Sequence, residues 1–390
     1  MALGAGPEWL PTPLDTRGDL VFPRSKPGLW GRAEGDCVAF SDGTTWHRTG
    51  GPSSKPEQRS ASAQQAAPAA APAAAEGAAG GEAVPSPGGA AAVRTELRGE
   101  RQYAAMPDGV GIRYDLLGDA GPCVAFIPGG QKGVCDGQLS LTQFARCSAL
   151  LQLRGFRVLL HDRRNTGASD VGYAAGATEA EQQAEDLHQL AAHLGLGPLV
   201  LVGNSSGGRL SLLLARRWPA AVRALALMNL TGGAVAAERL AHEYYRRYEA
   251  AAGSAEGMRA VRRSPHFSAL CEANPANQRR LLDMEPGAFA AAMRASAAWL
   301  EASAADPVLG HGEAELRGVE HPAKVVFSMH AAKCPMHTLD ASRSLHAALP
   351  GAVGPLAEWQ TMEAITTGIL DFINGLELAP DSGSIGNGVK

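Results

Sequence analysis

Ser205 lies in the run Gly203-Asn204-Ser205-Ser206-Gly207, directly after the apolar stretch Leu199-Val200-Leu201-Val202 and directly before a helical pattern from Ser206 to Trp218. A serine hydroxyl becomes a nucleophile when a base takes its proton and fixed N–H groups hold the charge that develops on the attacked carbonyl. A tight strand-to-helix turn serves both needs, because it thrusts the side chain out and leaves it at a helix N-terminus rich in unpaired N–H groups. Glycines at 203 and 207 remove side chains that would collide in such a turn. The run does not fit G-x-G-x-x-G or the P-loop pattern, so its glycines do not read as a phosphate cradle.

Two other polar segments follow apolar runs. Pro128-Gly129-Gly130-Gln131 follows Cys123-Val124-Ala125-Phe126-Ile127, and His161-Asp162-Arg163-Arg164-Asn165-Thr166-Gly167-Ala168-Ser169-Asp170 follows Phe156 to Leu160. Further apolar runs occur at Ala224 to Met228 and Val325 to Phe327. Unbroken runs of this length fit strands buried on both faces of a parallel sheet. Between them lie helical patterns at Gln138 to Leu153, Thr178 to Leu194, Ser206 to Trp218, Leu339 to Leu349 and Thr361 to Phe372. Such alternation predicts an open α/β sheet with helices on both faces, and functional groups in the loops at the carboxyl ends of its strands.

About 90 residues separate the run at Ala224 from the one at Val325, far more than a crossover helix needs. The excess, about 232–320, predicts a helical cap inserted over the sheet. Its residues Tyr244, Tyr245, Phe267 and Trp299 are expected to line a mostly apolar pocket, and its His242, His266 and His311 to face solvent.

The remaining organisation follows from composition. Residues 51–93 are dominated by Ala, Pro, Gly, Ser and Gln and read as a disordered linker. Residues 1–50 hold one hairpin-like patch, Cys37 to Phe40 and Thr45-Trp46 around a turn, and carry no functional signal. Residues 94–377 form the main domain and 378–390 a flexible tail. The 390-residue chain has a formal net charge of −4, which gives no reason to expect nucleic acid or an anionic membrane as a partner. No apolar run is long enough to span a bilayer. Six cysteines without a C-x-x-C pair or zinc-ligand spacing, and a start without a signal pattern, predict a reduced, cytoplasmic chain. No metal or organic cofactor is implied; the partner expected is a small-molecule substrate, with the oligomeric state open.

With these residues in view, the chain resembles the α/β-hydrolase family across nearly all of 94–377. The Gly-Asn-Ser-Ser-Gly run matches its nucleophile elbow. Asp162-Arg163-Arg164-Asn165-Thr166-Gly167-Ala168-Ser169 is similar to the family's D-x-R-x-x-G-x-S segment, and Pro128-Gly129-Gly130-Gln131 to its oxyanion loop, with proline where histidine is usual. The resemblance implies Ser205 as nucleophile, and main-chain N–H groups of Ser206 and of Gly130 or Gln131 as oxyanion donors.

It also implies an acid after the seventh strand and a histidine after the eighth, and here the pattern breaks. Pro335 and Pro350 stand fifteen residues apart, a spacing that puts the acid slot on Cys334. A thiol, with a pKa of about 8.5, replaces a carboxylate poorly. The last histidine is His346, before the final apolar segment, so the histidine slot is empty. His337 and His330, which flank Cys334, are the remaining candidates for the base, His337 first; Asp162 and Asp170 read as loop-fixing residues. Two readings stand: a serine hydrolase of small esters or related acyl compounds with an unorthodox triad, or a catalytically inactive member of the fold that binds a small molecule or a partner protein.

Overall fold

The computed structural model describes residues 92–142, 144–174, 176–328, 334–359 and 361–376, together with five short strands before residue 50. The chain divides into two compact units, 1–90 and 91–390. The first contains β1 (Trp9–Leu10), β2 (Leu20–Pro23), β3 (Gly31–Glu34), β4 (Cys37–Phe40) and β5 (Thr45–His47), each antiparallel to the next. The single expected hairpin is thus the last step of a five-stranded meander. Its other strands are two to four residues long, too short for alternation to register in sequence. The expected linker, up to residue 91, and the tail from 377 lie outside the described residues.

The second unit is built on a nine-stranded sheet. Its strands are β6 (Arg94–Arg98), β7 (Arg101–Ala105), β8 (Gly111–Leu117), β9 (Cys123–Ile127), β10 (Arg157–His161), β11 (Leu199–Asn204), β12 (Val222–Met228), β13 (Ala323–Ser328) and β14 (Ala357–Trp359). In space the order is β14-β13-β12-β11-β9-β10-β8-β7-β6. The six strands from β14 to β10 run parallel, and β8, β7 and β6 continue the edge antiparallel. The run at 123–127 is therefore the fourth strand of this sheet. The three strands before it carry polar residues in alternation and lack the unbroken apolar texture of the central ones.

Helices join the parallel strands: α1 (Ala145–Leu153) between β9 and β10, α2 (Glu179–His193) between β10 and β11, and α3 (Ser206–Arg217) between β11 and β12. Thr178 caps α2 in a reciprocal box with Glu181, a start signal that the T-x-x-E spacing encodes. The alternation of a strand decides which face each residue serves. Ala125, Leu201, Leu225 and Val325 share one core with Leu187, Leu190, Leu210 and Leu214 of α2 and α3. Phe126, one residue along, turns the other way onto Phe144 beside α1, ring centroids 5.1 Å apart.

Between β12 and β13 come α4 (Ala234–Ala241), a π-helical turn His242–Arg246, α5 (Arg247–Ala252), α6 (Met258–Arg262), α7 (Pro265–Ala273), α8 (Ala276–Asp283), α9 (Pro286–Ala302) and α10 (Glu313–Arg317). This insertion has its own core, in which Tyr248, Phe267, Phe289 and Met293 are buried together. Phe267 is therefore a packing residue and does not line the pocket. His311, expected to face solvent, is fully buried and donates from Nε2 to the Arg209 carbonyl oxygen, 2.9 Å away. After β13 follow α11 (Leu339–Ala348), β14 and α12 (Met362–Asn374). None of the described helices is long and apolar enough to cross a membrane.

Candidate active site

β9 and β11 are neighbours in the sheet, yet the chain leaves them for opposite directions in strand order, and ligands collect at such switch points. Ser205 follows β11 with φ 53° and ψ −116°, a strained backbone for a residue with a side chain. Its N–H donates to the Met228 carbonyl at 2.8 Å, and α3 begins at the next residue. The flanking glycines are obligatory. A Cβ on Gly207 would lie 2.1 Å from the Ile127 carbonyl oxygen, and one on Gly203 would lie 2.6 Å from the Ser211 hydroxyl. The strand ends behind the serine are laced together by Asn229, which donates to Asn204 at 3.0 Å and accepts from the Ser328 N–H at 2.7 Å.

The loop after β9 presses on this turn. A Cβ on Gly129 would sit 2.9 Å from the Ser205 Cβ. Gly130 has φ 65°, and its carbonyl accepts from Arg163 Nη2 at 2.5 Å and from the Ser206 hydroxyl at 3.2 Å. Asp162 anchors the same loop from below: it accepts from the N–H groups of Val134 and Cys135 at 2.6 and 3.0 Å and from that of Ala168 at 2.8 Å. Gly133 and Gly167 approach its carboxylate so closely that no Cβ would fit. Asp170 is engaged by Arg98 and Arg280. Both aspartates hold loops in place.

His337 comes from the loop between β13 and α11. Its Nε2 lies 2.8 Å from the Ser205 hydroxyl oxygen. Three contacts place the ring: an antiparallel bridge of His337 to Thr231, a turn bond from its N–H to the Cys334 carbonyl at 3.1 Å, and the packing of Met336 against a cap cluster that includes Leu240 and Leu300. Burial, helped by the positive charge of Arg209, lowers its pKa below the ordinary 6.5 and favours the neutral imidazole. Among the described residues no carboxylate hydrogen-bonds the ring. Cys334 supplies its carbonyl to the turn, and His330 lies outside the described residues.

A narrow cleft of about 30 Å³ lies next to the elbow, lined by Gly130, Gln131 and Ser206 together with Tyr244, Tyr245 and Trp299 of the cap. Its lining is mostly apolar, as expected, but Arg163, Glu179, Gln183 and Arg209 take part in it as well. The elbow and the histidine could be read in the sequence, whereas these charged residues were missed. Arg209 had a usable signal, because it stands one turn into the helix that starts directly after Ser205. Among the described residues no group of His, Cys, Asp and Glu is arranged to hold a metal ion.

A match to a family model agrees with this architecture. A family model described as the α/β-hydrolase fold matches residues 124–277. Over 126 residues the chain is 35% identical to the sn-1-specific diacylglycerol lipase ABHD11 of Mus musculus, a match that covers 31% of this chain and 37% of that protein. The chain thus matches well under two thirds of the length of this curated relative. Among solved structures, the enol-lactonase from Burkholderia xenovorans is 22% identical with a TM-score of 0.45, covering 70% of this chain and 99% of that one. A thermophilic esterase from Thermogutta terrifontis is 19% identical, also with a TM-score of 0.45, covering 71% of this chain and 98% of that one.

Proposed function

We propose that this chain, a member of the α/β-hydrolase family through residues 124–277, is a serine hydrolase of a small ester or related acyl compound, working with a Ser205–His337 pair. The observation that carries the reading is the 2.8 Å contact between the Ser205 hydroxyl and His337 Nε2. In the reaction Ser205 Oγ attacks the acyl carbon while its proton passes to Nε2. The main-chain N–H groups of Ser206 and Gly130 hold the oxyanion, each such donor being worth about 10²–10³ in rate. The imidazolium then gives the proton to the leaving alcohol as the bond to it breaks. Water repeats the sequence on the acyl-enzyme, releasing the acid and restoring Ser205.

The missing carboxylate changes the energetics more than the geometry. An acid beside Nδ1 normally fixes the tautomer and stabilises the imidazolium. Here the fixed Thr231 bridge and Met336 packing orient the ring, and the pKa lowered by burial keeps it ready to accept a proton. Slow turnover is the expected result.

The test is hydrolysis of p-nitrophenyl acetate and butyrate by the wild type beside Ser205→Ala and His337→Ala. Loss in both variants by about 10³-fold or more is expected, since nucleophile and base act as a unit. A folded wild type no faster than Ser205→Ala would favour the second reading, an inactive member of the fold that binds a small molecule or a partner. The absence of an acid at His337 among the described residues is what keeps that reading alive.

A further inference from the structure

The protein shows in one place how it handles a buried arginine that has only a structural duty. Arg164, 4% exposed, meets Asp186 through two hydrogen bonds of 2.8 Å and Asp108 through one of 2.6 Å. A guanidinium taken out of water needs such partners, because desolvating an unpaired charge costs several kcal/mol. Two other buried arginines lack them, and both line the cleft beside Ser205. Arg209 is 8% exposed, and its Nε and Nη1 have no hydrogen-bond partner among the described residues. Arg163 is 3% exposed; it donates to Gly130, Gln183 and Ser206, all neutral acceptors, while its Nε has no partner.

The one acid on the cleft wall hydrogen-bonds neither of them, although its charge acts on Arg163. Glu179 accepts from Asn165 Nδ2 through one oxygen and from the Tyr245 hydroxyl through the other, each at 2.9 Å. Two cations with incompletely paired, buried N–H groups therefore line a cleft that also includes the oxyanion loop and the tyrosine pair. We propose that Arg209 and Arg163 form a carboxylate-binding subsite, so that the preferred substrate is an ester or acyl compound that also carries a free carboxylate. This deepens the hydrolase reading and, for the word substrate, rests on it; the binding subsite itself does not.

The placement of Arg209 supports the pairing of the two functions. It stands one turn into α3, with its N–H donating to the Ser205 carbonyl at 3.1 Å, so a carboxylate held by its guanidinium keeps the rest of the molecule near the serine. A planar fork of donors suits a carboxylate better than a neutral carbonyl or hydroxyl, and such charge-assisted bonds are about twice as strong as neutral ones. A bound carboxylate also separates Arg163 from Arg209, relieving the repulsion between them.

The experiment compares two p-nitrophenyl esters of adipic acid, one with the far carboxylate free and one with it methylated, on wild type and Arg209→Gln. It adds calorimetric titration of adipate into wild type, Ser205→Ala and Arg209→Gln. Wild type should prefer the acid ester by about 10–100-fold in kcat/KM, the range expected for one charge-assisted pair, and Arg209→Gln should bring that ratio near one. Adipate should bind wild type and Ser205→Ala alike and should not bind Arg209→Gln. Equal or better turnover of the methylated ester, with no adipate binding to wild type, overturns the subsite. Adipate binding that depends on Arg209 without turnover of either ester keeps the subsite and removes the hydrolase reading instead. If circular dichroism shows Arg209→Gln unfolded, Arg163→Gln takes its place, and the wild-type ratio is decisive without either variant.

Discussion

Arg163 Nη2 and the Gly130 carbonyl oxygen are 2.5 Å apart, so a side chain from the loop after β10 fixes a peptide in the loop after β9. The Gly130 N–H proposed as an oxyanion donor is on the adjoining peptide, and misplacement by about 1 Å at such a position can cost 10²-fold in rate. Arg163→Met should therefore lower kcat for the neutral ester p-nitrophenyl acetate by about 10–100-fold while the fold persists. The measurement is steady-state kinetics beside circular dichroism. An unchanged kcat would mean that the Gly130 peptide holds its position without the arginine.

The pH profile tests the base. His337 must be neutral to take the Ser205 proton, and burial pulls its pKa below 6.5. The rate should accordingly be low in acid, rise with pH, and reach its plateau with an inflection in kcat/KM below 6.5. An inflection at or above that value would point to another group.

Cys334 occupies the place an acid was expected to fill, but its carbonyl and not its thiol meets His337. Cys334→Ala should leave kcat/KM for p-nitrophenyl acetate within about twofold, because the substitution keeps the carbonyl that His337 meets. A loss of tenfold or more would assign the thiol a direct part.

Gly207 admits no side chain. The 2.1 Å approach to the Ile127 oxygen means that Gly207→Ala must push β9 away from the elbow. Overpacking of this kind costs about 1–3 kcal/mol, and activity should fall with it. Urea unfolding with a midpoint equal to wild type would contradict the packing.

Acid should destabilise the domain through two buried imidazoles. Burial lowers the pKa of both His161 and His311 to about 3. The unfolded chain takes protons near 6.5 and the folded one does not, so the stability is fully present above pH 6.5 and is lost as pH falls toward 3. At pH 5 each group costs about 2 kcal/mol. The His161 ring nitrogens have no partner among the described residues, so His161→Leu should flatten the fall in urea midpoint between pH 7.5 and 5. An unchanged slope would mean that folded His161 binds its proton as the unfolded chain does.

Much of the site could be read because its chemistry is local. The elbow is a run of five residues whose glycines answer contacts with Ile127 and Ser211, and His337 lies within three residues of the slot that spacing assigned. The apolar strands were legible for the same reason, since burial on both faces leaves an unbroken run. What escaped depended on pairings remote in sequence. That Arg164 finds Asp186 while Arg209 finds no acid is invisible without the fold. The burial of His311 arises from α3, about a hundred residues earlier. β6, β7 and β8 escaped because an edge of the sheet alternates polar and apolar residues and so lacks the texture of its centre.

His337 reaches Ser205 from the loop before α11, so β14 and α12 contribute no reacting group to the pair. Closing the sheet and performing the chemistry are thus duties of separate stretches of chain. Ile365, Ile369 and Phe372 answer to packing alone. Substitutions of matched volume there should drift freely through evolution, and a carrier protein fused beyond α12 should leave turnover intact. A lineage that lost its final-strand histidine could keep its reaction by this division of labour, with the C-terminal strand and helix serving as plain scaffolding.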